Sequence, residues 1–346
     1  MTGRGRPFRI AINGYGRIGQ CVLRALYENG YRDDFQVVAI NELSDLDTIA
    51  HLTKYDSTHG RFQGEVRVED DVLRVNGDRI EVVSQADPSH LPWGLLGVDL
   101  VLECSGSFSD RAKAEVHLGA GAARLLFSQP AESDVDRTVV FGINEQDLRA
   151  DDRIVSSASC TTNCIVPVIR VLDDALGIEY GNTTTIHAAM NDQPVIDAYH
   201  HQDLRRTRSA LGNIVPVETG LAKGIERLLP AMEGRFSSVA MRVPTMNVSA
   251  IDMTVKVREA TDVAAVNALL RKAASAGPLK GILGYTDELL ASCDFNHDPR
   301  SVVVDGGQTR VTGERMVKVL CWFDNEWGFA NRMLDVSRSW LTAAAE

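Results

Sequence analysis

A chain of 346 residues with 44% hydrophobic and 24% charged residues can fill about two globular cores and is neither disordered nor fibrous. Its 36 basic and 47 acidic residues leave a formal net charge of −11, a field that opposes nucleic acid and anionic lipid. No apolar run reaches the ~20 residues of a membrane span, and Ile10 to Ile12 is too short for a signal-peptide core. A cytoplasmic location with no membrane or nucleic-acid partner is therefore expected.

Phe8 to Asn13 reads as a buried strand, joined by a glycine-rich turn to a helix from about Arg17 to Glu28. Gln36 to Ile40 follows as a second strand and Asp45 to Thr53 as a helix. Val72 to Val83 reads as a hairpin turning at Asn76-Gly77, residues that tolerate φ > 0 at both corners. Val98 to Leu102 and Arg124 to Phe127 are strands on either side of a helix from Asp110 to Gly119. Such alternation with continuously apolar strands indicates a parallel sheet covered on both faces.

The rhythm changes after Ser159. A helix opens near Cys160 and runs towards Leu176, with Pro167 a local irregularity. The segments Asn182–His187, Ser237–Val243, Val248–Val257, Val302–Val304 and Met316–Phe323 alternate more, as strands of an antiparallel sheet with one covered face do. Thr261 to Ala276 and Gly328 to Ala345 have helical periodicity. The expected fold is α/β: an N-terminal Rossmann-type parallel-sheet domain over 1–159, then an α+β catalytic domain over 160–327 with a largely antiparallel sheet.

Gly14-Tyr15-Gly16-Arg17-Ile18-Gly19 matches G-x-G-x-x-G between a strand and a helix. The first glycine permits the turn, the second lets a pyrophosphate approach and the third lets helix and strand close up. The helix start offers orphan N–H groups to the phosphates. Glu42 follows the second strand, about 20 residues on, where a carboxylate binds ribose hydroxyls and repels the extra phosphate of NADP, so NAD is favoured. The plainer reading of Glu42 is a cap for the helix after it.

Six cysteines are too few for a disulfide scaffold, and with no Cys-x-x-Cys pair no metal is expected. Cys160 lies at a helix start, where orphan N–H groups and the helix dipole favour thiolate. Cys164, one turn on, reads as a small buried apolar residue. A nucleophilic cysteine needs a base, and His187 at a strand end could supply it, unless it is simply satisfied within the sheet. The other histidines (51, 59, 90, 117, 200, 201 and 297) read mostly as surface or loop residues. Ser159 and Thr161 beside the thiol, Thr219-Gly220, and the guanidinium groups of Arg206 and Arg242 could together hold phosphate. Each separately has an ordinary role as cap or surface.

Ile12–Gly19, Ser157–Cys164, Met241–Thr245 and Asp324–Gly328 together resemble the glyceraldehyde-3-phosphate dehydrogenase superfamily from Arg9 to about Trp340. The resemblance implies Cys160 as nucleophile, His187 as base, Asn325 as the nicotinamide contact and a homotetramer. It also places the closing helix, 328–346, back on the nucleotide domain. With Ser128, the implied cofactor set is Gly14, Gly16, Arg17, Ile18, Gly19, Glu42 and Asn325. Within the superfamily, Asn41–Leu43, Met190–Gln193, Val195–His200, Phe295–Pro299 and Gly328–Asp335 look like the D-erythrose-4-phosphate dehydrogenases. These oxidise a sugar phosphate with NAD and release 4-phosphoerythronate for pyridoxal phosphate synthesis. Met190 stands where the glycolytic family usually has threonine, Phe329 where it has tyrosine, and Glu42 where it has aspartate. The alternatives are a phosphorylating glyceraldehyde-3-phosphate dehydrogenase and, from another class, a non-catalytic NAD-binding redox sensor.

Overall fold

The computed structural model describes residues 6–200 and 203–344; His201 and the end of the expected last helix, 345–346, lie outside them. Chain contacts define two units, Met1–Ser159 with Ala330–Glu346, and Cys160–Phe329.

The first unit holds a nine-stranded sheet in the order Arg137–Thr138, Ile154–Ser156, Leu125–Phe127, Leu100–Glu103, Phe8–Asn13, Phe35–Asn41, Asp78–Val83, Val72–Val75, Val66–Glu69. Seven strands run parallel, and the last two add an antiparallel edge. Ile10, Ile12, Leu100, Leu102, Leu125 and Phe127 are fully buried, which accounts for strands apolar at every position. The expected hairpin turns at Asn76 (φ +49) and Gly77 (φ +85). Helix Leu46–Lys54 is capped by Asp45, which accepts from Thr48 N–H, so Glu42 is not its cap. Helix Arg111–Gly119 is capped in the same way by Asp110.

His117 corrects the expectation of a surface residue. Helix Arg111–Gly119 buries it completely with Ala114, one turn before it, on the same face. Trp93 Nε1 donates to its Nδ1 at 3.1 Å, and its Nε2 lies 3.4 Å from Glu103.

The second unit holds a seven-stranded sheet in the order Val215–Val217, Phe236–Arg242, Ile178–His187, Ser249–Val257, Met316–Phe323, Val302–Thr312, Leu283–Thr286. Four pairings are antiparallel. Ile178–His187 with Phe236–Arg242, and Leu283–Thr286 with Val302–Thr312, are parallel. Helix Cys160–Leu176 continues through Pro167 without a break, and Cys164 is fully buried. Helix Val263–Ser275 starts after its cap Asp262. The short helix Leu221–Leu228, and the continuation of one strand from Val304 to Thr312, go beyond the sequence reading. The last helix is Trp327–Ala343, and from Ala330 onward it clusters with the first unit.

Gly14 has φ +87, and a Cβ there would lie 2.4 Å from Ser105 Cα. Backbone strain and a backbone clash then act together, so Gly14→Ala is expected to lower unfolding stability by ~2 kcal/mol or more. A urea titration checks it, and a parental midpoint would contradict it.

Candidate active site

In the first unit the parallel strands end on a compact set of polar groups. Gly16 caps helix Arg17–Glu28 with no side-chain hydrogen bond, and a Cβ on it would meet nothing within 4 Å. Gly19 is pressed onto the Gly14 carbonyl, 2.3 Å from where its Cβ would stand. The three glycines thus divide the work as a dinucleotide fingerprint requires: a strained turn, an open approach and a close helix. The Arg17 and Ile18 amides open the helix in the anion-binding position. The Arg17 guanidinium is not aimed at a phosphate; it holds Asp56 at 2.7 and 3.1 Å. Burial alone would raise the Asp56 carboxyl, but the Arg17 side chain and the His59 and Thr58 amides bring it down to about 2.

Glu42 accepts one backbone N–H on each oxygen, from Tyr15 and from Leu43, both at 2.7 Å. A carboxylate offers about four acceptor positions, so two remain for ribose hydroxyls. Beneath the glycine turn, the buried Glu103 accepts from Asn13 Nδ2 and from the Ser105 amide and hydroxyl. Asn41 Nδ2 donates to Asn13 Oδ1 at 2.7 Å, tying the second strand to the same network. Sequence reading passed over Asn13, Asn41 and Glu103. Their signal is a polar residue ending each of three apolar strands. Ser128 follows the strand Leu125–Phe127, and its side chain bonds the Cys104 thiol.

In the second unit, the register brings chemistry to one end of the sheet. His187 ends its strand opposite Arg242 on the parallel neighbour. The antiparallel strand Ser249–Val257 starts beside them, and Met316–Phe323 ends against Ser249, two residues before Asn325. Cys160 opens its helix with its Sγ 3.8 Å from His187 Nε2. His187 Nδ1 lies 2.8 Å from the Ala188 carbonyl, which can only accept. Nδ1 therefore carries the proton, and Nε2 presents a lone pair to the thiol.

The thiol differs from the expected thiolate. Burial pushes Cys160 up to about 12, outweighing the pull of the Thr161 and Cys160 backbone N–H groups, and Asp324 adds to the rise. Burial also lowers His187 from the usual histidine range; the Ala188 carbonyl pulls it back up and Arg242 pushes it further down. Both shifts favour a thiol beside a neutral imidazole, an arrangement in which His187 Nε2 can accept the thiol proton.

Around the pair, Arg242 bonds Asp192 at 2.5 and 3.1 Å, and Arg206 bonds the same carboxylate at 3.0 Å. Arg206 also reaches Asp203 at 3.4 Å. Burial raises the Asp192 carboxyl, but Arg242 and Arg206 bring it below the usual range. Asp192 had no assigned role; an acid shared by two arginines 14 and 50 residues away leaves no local pattern. Met190 sits against Arg242, its sulfur 3.5 Å from Nη2. Thr219 accepts from Leu221 N–H at 3.2 Å, with Gly220 at the helix start. That helix lies close to the first turn after Cys160, since a Cβ on Gly224 would come 2.8 Å from the Thr162 hydroxyl. Ser159 and Thr161 flank the thiol in the chain, and both residues already have interaction partners.

Residues 8–111 match the NAD binding domain of glyceraldehyde 3-phosphate dehydrogenase, and residues 159–325 match its C-terminal domain. The chain belongs to the glyceraldehyde 3-phosphate dehydrogenase family. It is an NAD-dependent oxidoreductase, and the glycine turn with its open helix start and half-used Glu42 fits that cofactor. Among the described residues no helix is long and apolar enough to cross a membrane.

Because the thiol is held protonated, Cys160 alkylation by iodoacetamide is expected to climb steadily from about pH 7 to 10 as the thiolate fraction grows. A rate that levels off below pH 8 would show a preformed thiolate. His187→Asn should slow the reaction at neutral pH by about 10²-fold or more, the scale of a lost general base.

Proposed function

We propose that this dehydrogenase oxidises D-erythrose 4-phosphate to 4-phosphoerythronate through a covalent intermediate on Cys160. The observation that carries the chemistry is the thiol 3.8 Å from a histidine nitrogen whose tautomer is set by the Ala188 carbonyl. His187 takes the thiol proton as sulfur bonds to the aldehyde carbon and returns it to the resulting alkoxide, giving a thiohemiacetal. The Cys160 backbone N–H stabilises the oxyanion as it forms. When bound, NAD supplies the carbon that accepts the hydride, and Asn325 holds the nicotinamide carboxamide. His187 accepts the hydroxyl proton as the hydride leaves, the product is a thioester, and His187 then gives that proton to solvent. Neutral again, it deprotonates a water that attacks the thioester, and the proton passes to the departing sulfur, freeing the acid and returning the thiol.

One observation supports release by water over release by phosphate. Arg206 is already neutralised by Asp192 and Asp203, which weakens it as a ligand for a free anion. The second reading, phosphorolysis of glyceraldehyde 3-phosphate, draws on the hydroxyls of Ser159, Thr161 and Thr219, and Arg242 serves the sugar phosphate in either case.

We further propose a cytoplasmic homotetramer. Tyr180, Ile186, Val239 and Met241 are exposed on two paired strands, with Ile186 opposite Met241. An apolar row of this kind on a sheet face suits contact with another copy.

Purified protein should reduce NAD with erythrose 4-phosphate much faster than with glyceraldehyde 3-phosphate, without added phosphate. A strict phosphate requirement with the triose preferred would sink the substrate assignment. Cys160→Ser should abolish turnover yet still bind NAD, whereas a redox sensor would show no turnover in the parent. Sedimentation velocity should give four copies, and Val239→Lys with Met241→Lys should give smaller species.

A further inference from the structure

Ser249 is buried, lies at none of the positions assigned above and bonds on two sides. Its hydroxyl accepts from the Ala188 N–H at 3.1 Å and donates its own proton to Asn325 Oδ1 at 2.8 Å. The carbonyl of the same residue, one Cα further on in the next peptide unit, receives the His187 Nδ1 proton. Strand order explains the meeting. Ser249 begins the strand that lies between the one ending in His187 and the one leading to Asn325. The residue before it, Val248, has φ +64, a conformation that a β-branched residue adopts only under constraint. Val248 is held there by Phe295 and Val303 in a small apolar cluster.

We infer that Ser249 is a positioning residue that sets the catalytic base and the nicotinamide-binding amide together. On one side it holds the Ala188 N–H, and so the residue whose carbonyl, in the next peptide unit, keeps the proton on Nδ1 and the lone pair on Nε2 towards Cys160. On the other it engages the oxygen of Asn325, so the amide NH₂ is turned away from Ser249 and is available to a ligand. One hydroxyl, with one proton to give, imposes both orientations. The inference rests on His187 as base and Asn325 as the nicotinamide contact.

The test compares Ser249→Ala, Asn325→Ala and the double variant by two readouts that need no turnover: NAD affinity by calorimetric titration, and the pH dependence of Cys160 alkylation by iodoacetamide. Ser249→Ala is expected to weaken NAD binding about tenfold, the scale of one hydrogen bond. It should also slow alkylation about tenfold at pH 7.5 but not at pH 10, where hydroxide replaces the histidine. Asn325→Ala should weaken NAD binding without changing alkylation, and adding Ser249→Ala to it should weaken binding no further. Parental values for Ser249→Ala in both readouts would overturn the inference, and so would an equal loss of alkylation at both pH values. Parental NAD affinity in Asn325→Ala would instead refute the nicotinamide role, while the alkylation comparison alone decides the hold on His187. If the alanine variant does not fold, Ser249→Thr and Ser249→Val, alike in shape and differing in the hydroxyl, make the same comparison. Equal values for those two would overturn it.

Discussion

The hydrogen bond from His187 Nδ1 to the Ala188 carbonyl is the constraint on which the site depends. A neutral imidazole has one proton, and whichever nitrogen carries it cannot act as base. By claiming Nδ1, the backbone leaves Nε2 facing Cys160. Burial then does two things at once: it raises the thiol and lowers the imidazole, and both shifts favour the neutral pair, with a proton acceptor already aligned on the sulfur.

Charge near the pair is balanced locally. Arg242 is buried, and without a partner it would carry a large desolvation cost. Asp192 offsets that cost and shares its remaining charge with Arg206. The Arg242 guanidinium is thereby already oriented but only partly neutralised. Neither arginine on its own would have that character.

What could be read in the sequence follows the range of the interactions. The glycine turn is local: strain at Gly14 and the close approach of Gly19 are set within six residues, so G-x-G-x-x-G announced itself. Cys160 at a helix start was equally visible, though its protonation was not, because burial is a property of the whole unit. His117 went the other way. Its neighbours in the chain look like an exposed helix, and its burial comes from Trp93, Glu103 and Phe108, which the fold brings against it. Ser249 lies 61 residues from Ala188 and 76 from Asn325, and nothing about a serine at a strand start marks it.

Two non-glycine residues with positive φ stand directly before or near key groups: Ala158 at +58 ahead of Cys160, and Val248 at +64 ahead of Ser249. Each such conformation costs about 1–3 kcal/mol and persists only where its surroundings over-determine it. At Ala158 the backbone N–H is taken by Ser156 Oγ, whose proton goes to the Gln129 carbonyl. At Val248 the apolar cluster with Phe295 and Val303 does the same work by packing. Relaxing either residue into the β or α region would redirect the chain just where it delivers a thiol or a hydroxyl to its partner. At Val248 the strain sits where an error of direction would separate His187 from Asn325.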